Sequence, residues 1–229
     1  MSILEKKKQL KRMIRRVDKV FIVAHQDLDL DAIGSSLGMY EILRKQDKEC
    51  YLVINDRKNE LGVQKVLAKV KNKVNILRST EVSKHLDSKE KKNLLLILDT
   101  NKTYLLPDET ILSMFQNIVV IDHHETTEQS ISKGLIIIDT TVSSTCEMIT
   151  ELLSGINFKI DPFISTVLLS GIVLDTNNFM LKTTAKTYYS AYYLTELGAE
   201  PKKVQYLLKQ DLKQYIGRQK TITDVKILR

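Results

Sequence analysis

The stretch Val20-Phe21-Ile22-Val23-Ala24-His25-Gln26-Asp27-Leu28-Asp29-Leu30-Asp31-Ala32-Ile33-Gly34-Ser35 carries the first and clearest fold signal in the chain. Val20 to Ala24 is an unbroken apolar run of strand length, and the helical spacing over Ala32 to Leu43 begins directly after an acidic loop. A strand, a short loop and a helix in immediate succession form the repeating unit of an α/β protein. The unit recurs on both sides of this stretch.

Downstream, Tyr51 to Ile54 reads as a strand, Leu61 to Val70 as a helix and Val74 to Leu77 as a short strand. Leu94 to Leu98, Ile118 to Ile121 and Leu135 to Ile138 are apolar at every position, the pattern of strands covered on both faces. Upstream, Leu4 to Val17 sets Leu10, Met13, Ile14 and Val17 at helical spacing between basic residues, which predicts an amphipathic N-terminal helix. From Ser144 onward the pattern turns helical, over Thr145 to Leu153, Pro162 to Leu174, Ala185 to Leu197 and Lys202 to Lys213. Gly198 stands at a helix C-terminus and Pro201 at a helix start. The fold class is α/β, a mostly parallel sheet with helices on both faces and a helical C-terminal part.

Composition narrows the functional classes. The 229 residues are 43% hydrophobic with only 8 glycines and 3 prolines, which suits a packed domain and argues against a linker-rich or disordered chain. Two distant cysteines, Cys50 and Cys146, have no CxxC spacing and suggest neither a disulfide framework nor a zinc knuckle, so a reducing, cytoplasmic setting fits. No apolar run approaches the roughly 20 residues needed to span a bilayer. The net charge of +7 comes from interspersed rather than segregated residues; short runs such as Lys6-Lys7-Lys8 read as solvated faces, and no long duplex nucleic acid is expected as a partner.

In an open parallel sheet, ligands bind beyond the carboxyl ends of the strands. The residues there are nearly all acidic or histidine: His25 to Asp31 after the first strand, Asp99 after the Leu94 strand, and Asp122-His123-His124 after the Ile118 strand. Asp175 closes the helical run Val167 to Leu174. Taken singly, each has an ordinary explanation; Asp31 and Asp99 would be helix caps or turn residues, and His25 a surface hydrogen-bonding group. Three of the four histidines fall beside acids at strand ends, however, and carboxylates crowded at one edge repel unless protons or cations neutralise them. Oxygen and imidazole donors suit manganese, magnesium or iron better than structural zinc.

These motifs resemble the DHH phosphoesterases, named for the triad seen here as Asp122-His123-His124. The likeness also covers His25 to Ser35, Asp99 in Leu98-Asp99-Thr100, Ser143-Ser144-Thr145-Cys146-Glu147 and Gly171 to Thr176, in the family's order. Asp29 to Ser36 and Asp175 to Phe179, followed by Thr183-Thr184, are most similar to the GdpP-type cyclic di-AMP phosphodiesterases. The resemblance implies a Rossmann-like catalytic domain over 19–213, preceded by the 1–18 helix and followed at 214–229 by the start of an interdomain linker. It implies two divalent cations, preferably Mn2+, one held by His25, Asp29 and Asp99 and the other by Asp31, Asp99, His123 and Asp175, so that Asp99 bridges them. Asp122 would orient His123 through its other ring nitrogen. His124 would face the scissile phosphate, and Ser143, Ser144 and Thr145 would offer hydroxyls or amides to phosphate at a helix start.

On the same resemblance, the activity is hydrolysis of cyclic di-AMP to a linear dinucleotide by a two-metal mechanism in which hydroxide attacks phosphorus. An oligoribonuclease or phosphoadenosine phosphate phosphatase, a manganese pyrophosphatase, and a non-catalytic nucleotide-binding module are the competing readings. The partner is then a cyclic dinucleotide or short oligonucleotide, with a homodimer left open. The family's glycine-rich nucleotide-gripping domain has no counterpart motif here, so this chain alone is expected to bind metal normally but turn over slowly. GdpP-type parents also carry membrane helices, so the location of any longer parent, cytoplasmic or membrane-anchored, is left open.

Overall fold

The computed structural model describes residues 3–55, 59–89, 92–155 and 159–209. Strands β1 (Lys19–Val23), β2 (Glu49–Val53), β3 (Ile76–Leu77), β4 (Asn93–Leu98), β5 (Asn117–Asp122) and β6 (Leu135–Ile138) form one sheet in the order β3-β2-β1-β4-β5-β6. Every neighbouring pair is parallel, with Val20 opposite Cys50 on one side and Leu94 on the other. The chain walks outward from β1 to β3, then crosses back to β4 and walks the other way. The connections leaving β1 and β4 therefore diverge and open a crevice at their carboxyl ends, the switch point at which such sheets bind ligands.

The alternation of side chains explains the uninterrupted apolar strands. Val20 and Ile22 of β1 with Leu94, Leu96 and Leu98 of β4 enter one core, while Phe21, Val23, Leu95 and Ile97 enter the other. The two covers are unequal. The first core is roofed by α1 (Ile3–Arg16), α2 (Leu30–Arg44), α3 (Leu61–Val70), α5 (Thr145–Ser154), α6 (Pro162–Asp175), α7 (Ala185–Glu196) and α8 (Pro201–Leu208). The second is closed by the short α4 (Val82–His85) and by two 3-10 segments, Thr103–Leu105 and Glu109–Met114, in and directly after which lie Leu106, Ile111 and Phe115.

Helix α1 buries Leu10 and Ile14 while Lys8, Lys11, Arg12, Arg15 and Arg16 stay exposed, as its amphipathic spacing requires. Helices α2 and α6 are buried on nearly every side because both lie inside the helical layer, packed against each other. Their polar residues are satisfied locally: Ser35 Oγ donates to the Asp31 carbonyl at 2.7 Å, and Ser170 Oγ to that of Thr166 at 2.8 Å.

Three expectations shift. The strand expected over Val74 to Leu77 shrinks to Ile76–Leu77, because the Val74 amide is taken by the Val70 carbonyl in the turn that ends α3. Helix α2 starts two residues before Ala32 is reached, with Asp29 rather than Asp31 as its cap. The helix expected over Lys202 to Lys213 is seen as Pro201–Leu208, its remainder beyond residue 209 and the proposed linker 214–229 lying outside the described residues. Among the described residues, no helix is long and apolar enough to cross a membrane.

Candidate metal centre

Each acidic residue singled out at a strand end arrives at the crevice by a different local device. Asp29 caps α2: its Oδ1 accepts the amides of Asp31 and Ala32, both at 2.9 Å, leaving Oδ2 free to face His25. Asp31, in the first turn, is fully buried, and both of its oxygens are held by the start of α5, with Cys146 N at 2.7 Å from Oδ1 and Thr145 N at 2.8 Å from Oδ2. A helix N-terminus offers amides and a positive dipole end, so this clamp favours the carboxylate form. Close approach of the helices makes the clamp possible. A Cβ added at Gly171 on α6 would stand 2.6 Å from Cys146 Sγ and 2.9 Å from Asp31 Cα, and one at Gly34 would stand 2.7 Å from the same sulfur.

Asp99 follows β4 in the left-handed region, at φ 60°, a conformation that costs a non-glycine residue and is found where a site demands a particular side-chain direction. The result is a carboxylate with one oxygen on each side of the crevice. Asp99 Oδ2 lies 3.5 Å from His25 Nε2, and Asp99 Oδ1 lies 3.6 Å from His123 Nε2. On the first side, His25, Asp29 and Asp99 bring ligand atoms within 4.8 Å of one another; on the second, Asp31, His123 and Asp175 do the same. His123 Nε2 is 3.2 Å from Asp175 Oδ2 and 3.8 Å from Asp31 Oδ2.

His123 supplies the test of whether cations fit. Its ring is buried, and neither nitrogen has a hydrogen-bond partner among the described residues although three carboxylates surround Nε2. An imidazole buried among acids without a hydrogen bond is costly, whereas a cation shared with those acids uses the same lone pair and offsets their charge. The donor set of carboxylate oxygens and imidazole nitrogens is that of a hard or borderline divalent metal. The residues present fit such a group.

Protonation follows the same crowding. Burial raises Asp31 well above the ordinary carboxylate value, and the charges of Asp99 and Asp175 add to the effect. Burial also drives Asp99 up to about 7, partly opposed by its contact with His25. For His25, burial acts downward, but Asp29 and Asp99 outweigh it and lift the ring to about 10. Asp29 moves the other way: burial would raise it, yet His25 and the two cap amides leave it below its ordinary value.

The adjacent histidines stay close, their ring centroids 4.2 Å apart, and Asp99, Asp122, His123 and His124 also bring ligand atoms within 4.8 Å of one another. Asp122 Oδ1 accepts from His124, whose Nδ1 lies 2.8 Å away and whose amide lies at 3.2 Å, so Asp122 orients His124 rather than His123. Its other oxygen accepts from Asn101 Nδ2 at 2.7 Å. His124 is half-exposed, and the Asp122 bond, opposed by burial, raises its pKa. The residues expected to meet phosphate are occupied elsewhere. Ser144 Oγ caps α5 by accepting the Glu147 amide at 3.1 Å, Thr145 Oγ1 donates to Asp99 at 2.9 Å, and Ser143 gives both its amide and its hydroxyl to Glu147. All three are buried, so they shape the site from behind instead of facing a ligand.

Two contributors were given no role in the sequence reading. Asn101 holds Asp122 and accepts Ser130 Oγ at 2.6 Å. Glu147 accepts from Ser143 and from Thr187 Oγ1 at 2.8 Å, tying the α5 start to α7. The position of Asn101, two residues beyond Asp99 at a strand end, was the available signal for the first. Above the His25 side the crevice opens into a cleft of about 310 Å³, lined also by Lys102 and Tyr104.

The family model for the DHH family, N-terminal domain, matches residues 19–172, and the chain belongs to that family. It is 34% identical to the cyclic-di-AMP phosphodiesterase PdeA of Listeria monocytogenes over 95% of this chain and 34% of that protein. It is also 34% identical to the cyclic-di-AMP phosphodiesterase GdpP of Geobacillus thermodenitrificans, over 93% of this chain and 33% of that one. The chain thus spans about a third of the length of these curated relatives. An exopolyphosphatase-related protein from Bacteroides fragilis shares the fold, with a TM-score of 0.75 at 21% identity over 98% of this chain and 66% of that one.

Proposed function

We propose that this chain is the metal-binding catalytic domain of a phosphodiesterase that opens cyclic di-AMP to a linear dinucleotide. The observation that carries the reading is Asp99, whose two oxygens face two separate ligand clusters beside an open cleft. The identity to PdeA and GdpP across nearly the whole chain supports the substrate.

His25, Asp29 and Asp99 would hold one divalent cation, and Asp31, Asp99, His123 and Asp175 a second, with Mn2+ the metal that best suits the donors. When bound, such cations polarise phosphoryl oxygens and make water a stronger nucleophile. The chain's own residues do the rest. Asp99 fixes the spacing of the two clusters, and the α5 amides keep Asp31 aimed at the second. His124 shares its Nδ1 proton with Asp122, which leaves Nε2 to donate to a phosphoryl oxygen or to the departing ribose oxygen. The Asp122 bond raises its pKa, which favours the imidazolium form that carries a proton on Nε2. The two buried free thiols fit a cytoplasmic location.

The test is manganese-dependent turnover of cyclic di-AMP, linear diadenylate, phosphoadenosine phosphate and pyrophosphate by the same preparation. The expected result is slow opening of cyclic di-AMP that EDTA abolishes. Faster hydrolysis of pyrophosphate or phosphoadenosine phosphate would replace this reading with one of its rivals, and no metal-dependent hydrolysis of any of them would favour a binding module.

A further inference from the structure

The cleft above the His25 side has a polar floor and one large aromatic wall. Its floor is His25, Asp29 and Asp99; along its wall, Thr100 and Asn101 are buried, whereas Tyr104 is 51% exposed. A scattered surface tyrosine needs no explanation. Tyr104, however, lines the ligand cleft itself and stands on a rigid support. The 3-10 turn Thr103–Leu105 that bears it is anchored at Leu105, whose carbonyl accepts the Gln26 amide at 2.7 Å. Gln26 follows His25 directly, so the aromatic wall and the candidate ligand move as one piece. Leu106, the next residue, is buried in the second core and fixes the turn from below.

Beside it, Lys102 provides a fixed positive charge. Its ammonium donates to Thr127 Oγ1 at 2.7 Å, Ser130 Oγ at 2.8 Å and the Glu125 carbonyl at 3.3 Å. All three acceptors are neutral, so the lysine charge is held in place without being cancelled, and it acts on the cleft as a field. A phosphodiester between nucleosides presents an anion flanked by flat bases. The cleft presents one lysine charge and a flat ring beside its acidic candidate ligands.

We infer that Tyr104 is the stacking platform for the nucleobase next to the scissile phosphate, and thereby the residue of this domain that distinguishes a nucleotide phosphodiester from a small phosphate ester. The inference rests on the phosphodiesterase reading above. An aromatic ring held by two side-chain torsions is ordered at little entropic cost. Stacking tolerates any base, since every base has a π-face, so the platform selects nucleotides over inorganic phosphates without choosing among bases.

The probe is a phosphorothioate diadenylate that resists hydrolysis, compared in Mn2+ with its analogue in which one base is absent. Calorimetry on the wild type should give about tenfold tighter binding for the base-bearing ligand. Tyr104→Phe should keep that preference, and Tyr104→Ala should erase it while the abasic ligand binds as before. Because Tyr104 is half-exposed, an unchanged thermal midpoint checks that the variants are folded. A Tyr104→Ala protein that retains the full preference, or a wild type that binds both ligands equally, overturns the inference and leaves the phosphodiesterase reading standing. A wild type that binds neither ligand and hydrolyses no phosphodiester overturns both.

Discussion

The two sides of the candidate metal centre use the same residue types in opposite surroundings. On the His25 side the groups are partly exposed, histidine and aspartate stand as compensated neighbours, and Asp29 lies below its ordinary pKa. On the His123 side the groups are largely desolvated, the ring has no hydrogen bond among the described residues, and Asp31 is pushed well upward. The first side resembles a satisfied polar cleft that could exist without a cation. The second is a deficit of positive charge built into the interior, tolerable because the amides of Thr145 and Cys146 clamp Asp31 and because a cation can enter. Ligand identity alone hides this difference; burial exposes it.

The sharpest way to break the comparison is to separate the adjacent histidines. His123→Ala removes the central donor of the buried side and should weaken one cation while the other stays. His124→Ala leaves His25, Asp29, Asp31, Asp99, His123 and Asp175 in place and should keep both cations but lower turnover by about a hundredfold, the usual loss for a positioned acid or charge stabiliser. Metal titration and turnover on the two variants decide. If His124→Ala strips a cation and His123→Ala does not, the roles are reversed.

A smaller effect concerns pH. Without metal, Asp31 and Asp99 hold protons in the folded state that the unfolded chain releases near 3.8. Their contribution to stability is therefore complete below that value and fades as pH rises, through about 7 for Asp99. His25 adds to the same trend, its contribution complete below 6.5 and lost as pH climbs toward about 10. Metal binding requires those protons to leave, so affinity runs the other way. Thermal scans in EDTA should show a midpoint falling from mildly acidic to mildly alkaline pH, while the increment from added Mn2+ grows over the same range. A metal-free midpoint that rises with pH across this window would contradict the crowding described for the buried side.

Much of this was legible in the sequence, for physical reasons. Strands buried on both faces must be apolar at every position, so Leu94 to Leu98 and Ile118 to Ile121 declared themselves, and the switch-point rule led directly to Asp99 and Asp122. What could not be read was who hydrogen-bonds to whom. Asp31 meets Thr145 and Cys146 across more than a hundred residues of chain, at a distance set by Gly34 and Gly171. Asp122 has two histidines as chain neighbours, and only the backbone turn after β5 makes His124 its partner. Ser143, Ser144 and Thr145 looked free to meet phosphate because their competing partners, Glu147 and Asp99, come together only in the fold.

The central claim is that Asp99 joins two cation sites of unequal burial, and anomalous diffraction from crystals grown with Mn2+ tests it most directly. The account predicts two ions per chain, one beside His25 and Asp29 and one among Asp31, His123 and Asp175, with an Asp99 oxygen on each. A single ion that leaves Asp31 and His123 uncoordinated would contradict it.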